Sequence, residues 1–126
     1  MRAARNLTER SVVLALPESA VTSEAAERLR ESGWRVHRAS SCDAVRRMTC
    51  RKSPEVVVLP ADGFDESGWL TCAKLLRASP RLRVIMVGEP TAEAAEMARF
   101  TGVEALVPAD VTATELVDRV EGAVYV

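Results

Sequence analysis

Pro54-Glu55-Val56-Val57-Val58-Leu59-Pro60, running on through Ala61 to Ser67-Gly68, decides how this chain folds. Val56 to Leu59 is an apolar run bounded by prolines and too short for a helix. It predicts a strand covered on both faces, of the kind found inside parallel sheets. The polar stretch after Pro60 predicts a surface loop that closes on Ser67-Gly68.

Outward from this strand the chain alternates. Ser11–Leu16 (SVVLAL) and Val84–Val87 (VIMV) are two further apolar runs and predict buried strands. Trp34–Ala39 (WRVHRA) alternates and predicts a strand nearer an edge, and Val103–Val107 predicts a fifth. Between them lie helical segments with recognisable ends. Thr22 or Ser23 is positioned to cap a first helix that Gly33 terminates. Ser40 with Asp43 is positioned to open a second helix, which reaches about Arg51 before Pro54 stops it. A third is expected over about Trp69 to Ala78, closed by Ser79-Pro80. Thr91 and Gly102 bracket a fourth, and Thr112 with Glu115 forms a capping box for the fifth, which reaches about Ala123.

Five strand–helix units with strands apolar on both faces imply an α/β fold whose parallel sheet is covered by helices on each side. Two arrangements satisfy the right-handed crossover rule: a flavodoxin-like order 2-1-3-4-5, or part of a larger nucleotide-binding sheet. Five units favour the first. Residues 1–10 are expected to form a flexible leading segment, with one domain over residues 11–126.

The bulk composition narrows function. The 126 residues are 48% hydrophobic and 28% charged, with 17 Lys plus Arg against 18 Asp plus Glu, a net charge of −1. Such a domain buries roughly two-thirds of its unfolded-chain surface. A near-neutral balance gives no reason to expect nucleic acid or an anionic membrane as partner. No apolar run reaches the length of about 18 residues that a membrane span needs. Met1 to Arg10 is polar and lacks a secretory core. Cys42, Cys50 and Cys72 have no metal-type spacing and are expected to be free thiols, consistent with the cytoplasm.

The strand and loop with which this reading began resemble those of response-regulator receiver domains. The resemblance extends over about the whole chain, with Gly102-Val103-Glu104 before the fifth strand as a further shared feature. In that family the third strand ends on a phosphate-accepting Asp eight positions before the loop glycine. Counting back from Gly68 reaches Pro60. Proline has no nucleophile, no side-chain oxygen and no backbone N–H. Receivers place a pair of acids after the first strand to hold Mg²⁺, where this chain has Leu16 and Pro17, with Glu18 just beyond. The family's hydroxyl after the fourth strand is replaced by Gly88, and its lysine after the fifth falls at about Ala109. A divalent ion needs several oxygens converging at about 2.0–2.6 Å, and one loop Glu does not supply them.

A register shifted by two would bring Asp62 to the acceptor position, and Asp65, Glu66, Glu89 and Asp110 also sit near this edge. The chain has only two lysines, Lys52 and Lys74, neither after a strand on that edge, so these acids are read as a solvated rim. His37 is the only histidine and is expected at the sheet edge rather than as a base. Cys72 is expected to pack, and Cys42 and Cys50, eight apart, to share nearly one helix face. No glycine follows the first strand within Leu16–Ala20, which excludes the usual phosphate cradle. No nucleophile–base–orienter set is visible, so no enzyme activity, cofactor or metal is expected.

The resemblance therefore implies a receiver-like regulatory module acting through protein contacts without phosphorylation. The alternative is a small-molecule sensor using a pocket emptied by Gly88 and Ala109. Arg46, Arg47 and Arg51, with Lys52, cluster on the second helix, either meeting the helix dipole or forming a docking patch. Phe64 and Trp69 are expected either to anchor a partner or to close the crevice. The apolar tail with Tyr125 either folds back or is shared with another subunit. By resemblance, a homodimer is expected through the fourth helix, fifth strand and fifth helix.

Overall fold

The central strand is buried at all five of its residues, and its place in the sheet explains why. The computed structural model describes residues 10–62 and 64–124. Its strands are β1 (Arg10–Leu14), β2 (Trp34–Arg38), β3 (Val56–Pro60), β4 (Arg83–Val87) and β5 (Ala105–Val107). The helices are α1 (Ala20–Glu31), α2 (Cys42–Lys52), α3 (Gly68–Ala78), α4 (Ala92–Thr101) and α5 (Ala113–Val124). All pairings are parallel and the order is β2-β1-β3-β4-β5, the flavodoxin-like arrangement expected. β3 lies third of five, with neighbours on both edges and helices on both faces, so no position in it tolerates exposed polarity.

Successive strand residues point to opposite faces. Val12, Leu14, Val56, Val58 and Ile85 therefore join one core with α1 and α5, anchored by Leu29, Leu116 and Val120. Val13, Val57, Leu59, Val84 and Met86 join the other, beneath α2 and α3, with Val45, Cys72 and Leu75. The helix α4 lies on this second side beside α3 and β5 but buries no residue.

Two helix starts differ from the expectation. α1 is capped by Ser19, not by Thr22 or Ser23: the extended Ser19 accepts the Thr22 N–H at 3.1 Å, while Thr22 Oγ1 donates to the Pro17 carbonyl at 3.0 Å. α2 starts one residue later than the Ser40–Asp43 spacing implies. Ser41 accepts the Ala44 N–H at 3.0 Å, and Asp65 accepts the Cys42 N–H at 2.7 Å, a contact from another part of the chain. The other expected caps form: Thr91 caps α4, Gly102 closes it at a left-handed φ of 86°, and Thr112 and Glu115 cap each other at 3.1 Å. β1 also starts earlier and ends earlier than expected, so Arg10 belongs to the sheet rather than to the leading segment. The rest of that expected segment lies outside the described residues, as does Tyr125.

Candidate functional site

In this topology ligands and reactive groups meet beyond the carboxyl ends of the strands, where the strand order reverses between β1 and β3. A cleft of ≈ 500 Å³ lies there. It is lined by Leu16 and Pro17 after β1, Pro60 at the end of β3, Gly88 after β4 and Ala109 after β5. The five positions singled out in the sequence thus converge on one cavity. Its walls are made largely of aliphatic carbon, extended by Val21, Val87 and Val111.

This cleft does not fit Mg²⁺. Glu18, the acid nearest the first strand's end, is turned to Arg38 at 2.9 Å. Asp62 and Glu89 reach the cleft, but among the described residues no three His, Cys, Asp or Glu side chains group to hold a metal ion. Gly88 lines this cleft, as does Ala109, but its lack of a side chain has a second cause. A Cβ there would meet the Cβ of Ala61 at 2.9 Å, so the glycine answers a close approach of β4's exit to β3's exit. The Ala61 N–H donates to the Val87 carbonyl at 2.8 Å and the Gly88 N–H to that of Val107 at 2.9 Å, tying the three strand exits together.

The loop from Ala61 to Ser67 is fastened at both ends. The Gly68 N–H donates to the Ala61 carbonyl at 3.0 Å, and a Cβ on Gly68 would lie 2.1 Å from the Pro60 carbonyl oxygen. Only glycine allows α3 to start this close to the strand it follows. Asp65 holds the amino end of α2, and that backbone hydrogen bond from Cys42 is the main cause that lowers its carboxyl pKa. Glu66 accepts from Thr71 Oγ1 at 2.5 Å, Lys74 at 3.0 Å and Arg46 at 3.2 Å. The Thr71 hydroxyl, then Lys74, holds Glu66 below the ordinary carboxylate range. Asp65 and Glu66 are therefore fasteners between the loop, α2 and α3, not a merely solvated rim. The signal for this lay in tertiary proximity, which local spacing does not carry.

The same fasteners change the arginine cluster. Arg46 is shared between Glu66 and Asp43, and Arg47 pairs with Asp43. Of the three, only Arg51 makes no ion pair among the described residues. Lys74 is taken up by Glu66. Phe64 and Trp69 are half-buried against the second core. His37 sits on the edge strand β2, its pKa lowered by desolvation and then by Lys52 and Arg35. Burial pushes the Cys72 thiol up to about 11, so it packs as a small apolar group. All three cysteines are free, Cys42 buried and Cys50 exposed. Eight residues leave an offset of about 80° around a helix, enough to separate faces that the spacing alone seemed to merge.

A second, larger groove of ≈ 750 Å³ opens beside this cleft, between the start of α3 and α4. It shares Asp62 and Glu89 with the cleft and continues past Trp69, Glu93, Glu96, Met97 and Phe100. Phe100 is 86% exposed. Sequence reading passed over this residue; the available sign was a helix, AEAAEMARFT, too poor in large apolar residues to sink one face. A shallow basin of ≈ 420 Å³ near Ser53, Glu55, Arg81 and Arg83 lies at the amino ends of the strands, away from the crevice of this fold.

No protein-family model matches the chain, and no curated protein matches it. Solved structures do. A CheY-like response regulator receiver domain protein from Methanospirillum hungatei JF-1 superposes with a TM-score of 0.82 at 16% identity, covering 91% of this chain and 93% of that one. A receiver domain protein from Clostridium thermocellum gives 0.79 at 22% identity, covering 92% and 94%. An orphan response regulator of H. pylori gives 0.81 at 16% identity, covering 90% and 95%. The chain has the receiver-domain fold. No described helix is long and apolar enough to cross a membrane.

Proposed function

We propose that the chain is a receiver-like signalling module, related to the response-regulator family, that works without accepting phosphate and regulates through protein contacts. One observation carries the reading. The positions where phosphoryl chemistry would sit meet at one cleft, and their side chains are those of Leu16, Pro17, Pro60, Gly88 and Ala109. None of these is a nucleophile, an ion ligand or a cation. No Lys or Arg lines the cleft to balance a phosphoryl charge. The module is non-enzymatic, has no metal or cofactor requirement and belongs in the cytoplasm, where its free thiols persist. Its expected homodimer uses α4, β5 and α5, a face on which α4 buries nothing against its own chain.

Incubation with a small phosphodonor and Mg²⁺ tests this. Intact mass and tryptophan emission should both stay unchanged. A stoichiometric phospho-adduct would sink the proposal.

The cleft itself favours a second reading, small-molecule sensing. At ≈ 500 Å³ with a mainly aliphatic wall it lies in the ordinary size range of ligand sites. A ligand stabilises the protein it binds by mass action, so a thermal-shift screen of nucleotides and metabolites separates the two readings. A saturable rise in Tm that Ala109→Trp abolishes favours sensing.

A further inference from the structure

The groove between α3 and α4 has a chemistry of its own. Four carboxylates line it, Asp62, Glu89, Glu93 and Glu96, and no Lys or Arg does. Five acids elsewhere, Glu18, Glu24, Asp43, Glu66 and Glu104, each hold an Arg or Lys, while others such as Glu27 and Asp118 stand singly on exposed surface. The four groove carboxylates make no ion pair among the described residues. On a chain of net charge −1 this is a local concentration of negative charge, not a reflection of composition.

Apolar surface accompanies it. Phe100 is 86% and Met97 38% exposed, and both line the groove, with half-buried Trp69 at its other wall. Glu93, Met97 and Phe100 recur at helical spacing, so α4 offers charge and carbon on one face. Arg99, about 60° around the helix from Glu96, forms no ion pair with it and does not line the groove. An exposed aromatic rimmed by unmatched charges of one sign marks an interaction surface.

We propose that this groove docks a cationic amphipathic segment of a partner protein. An aromatic or aliphatic anchor seats against Met97 and Phe100, while Lys or Arg side chains meet Asp62, Glu89, Glu93 and Glu96. A second copy of the chain fits less well. An isologous pairing through this groove sets the acidic patch against its own copy, and like charges facing each other oppose association. The inference rests on reading the chain as a contact module, and it names the kind of partner.

Selection from a random displayed peptide library against the folded protein tests it. The enriched peptides should be net cationic and carry an apolar anchor. Phe100→Ala should weaken their binding about tenfold, as removal of a central aromatic anchor does. Glu93→Gln with Glu96→Gln should weaken it several-fold, by about half a decade or more, and flatten its dependence on salt. Phe100 and both glutamates are exposed, so the variants keep the fold, and circular dichroism checks that. Acidic or uncharged peptides, no enrichment, or binding that neither variant moves would overturn the inference. So would a concentration-dependent oligomer that Phe100→Glu dissolves, which assigns the face to a second copy. A phospho-adduct would break the contact-module reading while leaving the peptide preference standing; neutral peptides would break only this inference.

Discussion

Helices α4 and α5 flank the same edge of the sheet from opposite faces, yet only one is sunk into it. α5 buries Ala113, Leu116, Val117, Val120 and Ala123, a stripe at helical spacing that lies against β3, β4 and α1. α4 buries none of its residues. Its Ala94 and Ala98 are half-buried, and its larger apolar side chains, Met97 and Phe100, are exposed. The two helices are therefore held by different physics. Packing of an amphipathic face dominates α5. In α4, Ala, Glu, Met and Arg supply helix propensity, and Thr91 and Gly102 close the ends. A helix stabilised this way keeps its side chains available for something else.

The largest test of that contrast is Leu116→Ala, which removes a fully buried side chain from α5. It should lower unfolding stability by about 2–5 kcal/mol in chemical denaturation. A loss as small as that of a surface substitution would mean that α5 is not sunk as described. Native-state hydrogen exchange probes the same difference without mutation. Amides of α4 should exchange through openings well below the global unfolding free energy, those of α5 near it. Equal protection would erase the distinction.

Smaller effects sharpen it. Gly122 lies in α5 with no heavy atom within 4 Å of where a Cβ would stand. Gly122→Ala should therefore raise stability by about 0.5–1 kcal/mol, read as a shifted urea midpoint. Phe100→Ala on α4 should leave stability within about 0.5 kcal/mol, whatever it does to binding. The smallest effect belongs to pH, at the loop that leads into the groove. Asp65 and Glu66 have folded pKa values lowered below their unfolded ones. The stability they contribute is complete above the ordinary carboxylate range, about pH 4, and is lost as pH falls through the lowered folded values. The denaturation midpoint should fall more steeply in acid for the parent than for an Asp65→Ala, Glu66→Gln double variant. Parallel curves would show that these fasteners contribute nothing.

Much of the architecture was legible because it is periodic and local. The apolar run at Val56–Leu59, the alternation at Trp34–Arg38 and the capping box at Thr112 and Glu115 each announce their element and its place. The convergence of Leu16, Pro17, Pro60, Gly88 and Ala109 was legible too, since topology puts all strand exits at one edge. Contacts between distant segments were not. Nothing near Cys42 in the chain announces that Asp65 will take its N–H, and that contact moved the start of α2 by one residue. The close approach at Gly88 was hidden for a similar reason: a missing side chain reads only as space until its neighbour, Ala61, is known. Phe100 escaped notice because an aromatic in a helix reads as core, and the one sign against that was the scarcity of other large apolar residues in α4.

The 2.1 Å between the Pro60 oxygen and the position of a Cβ on residue 68 has a consequence for sequence divergence. Any side chain there forces α3 away from β3, whereas residue 60 contributes a backbone carbonyl that every amino acid possesses. As descendants of this gene drift, Pro60 is free to be exchanged for other residues that end a buried strand. Gly68 is not. A glycine eight positions after the central strand's last residue is thus the more durable marker for tracing relatives, outlasting the proline that first sets this chain apart.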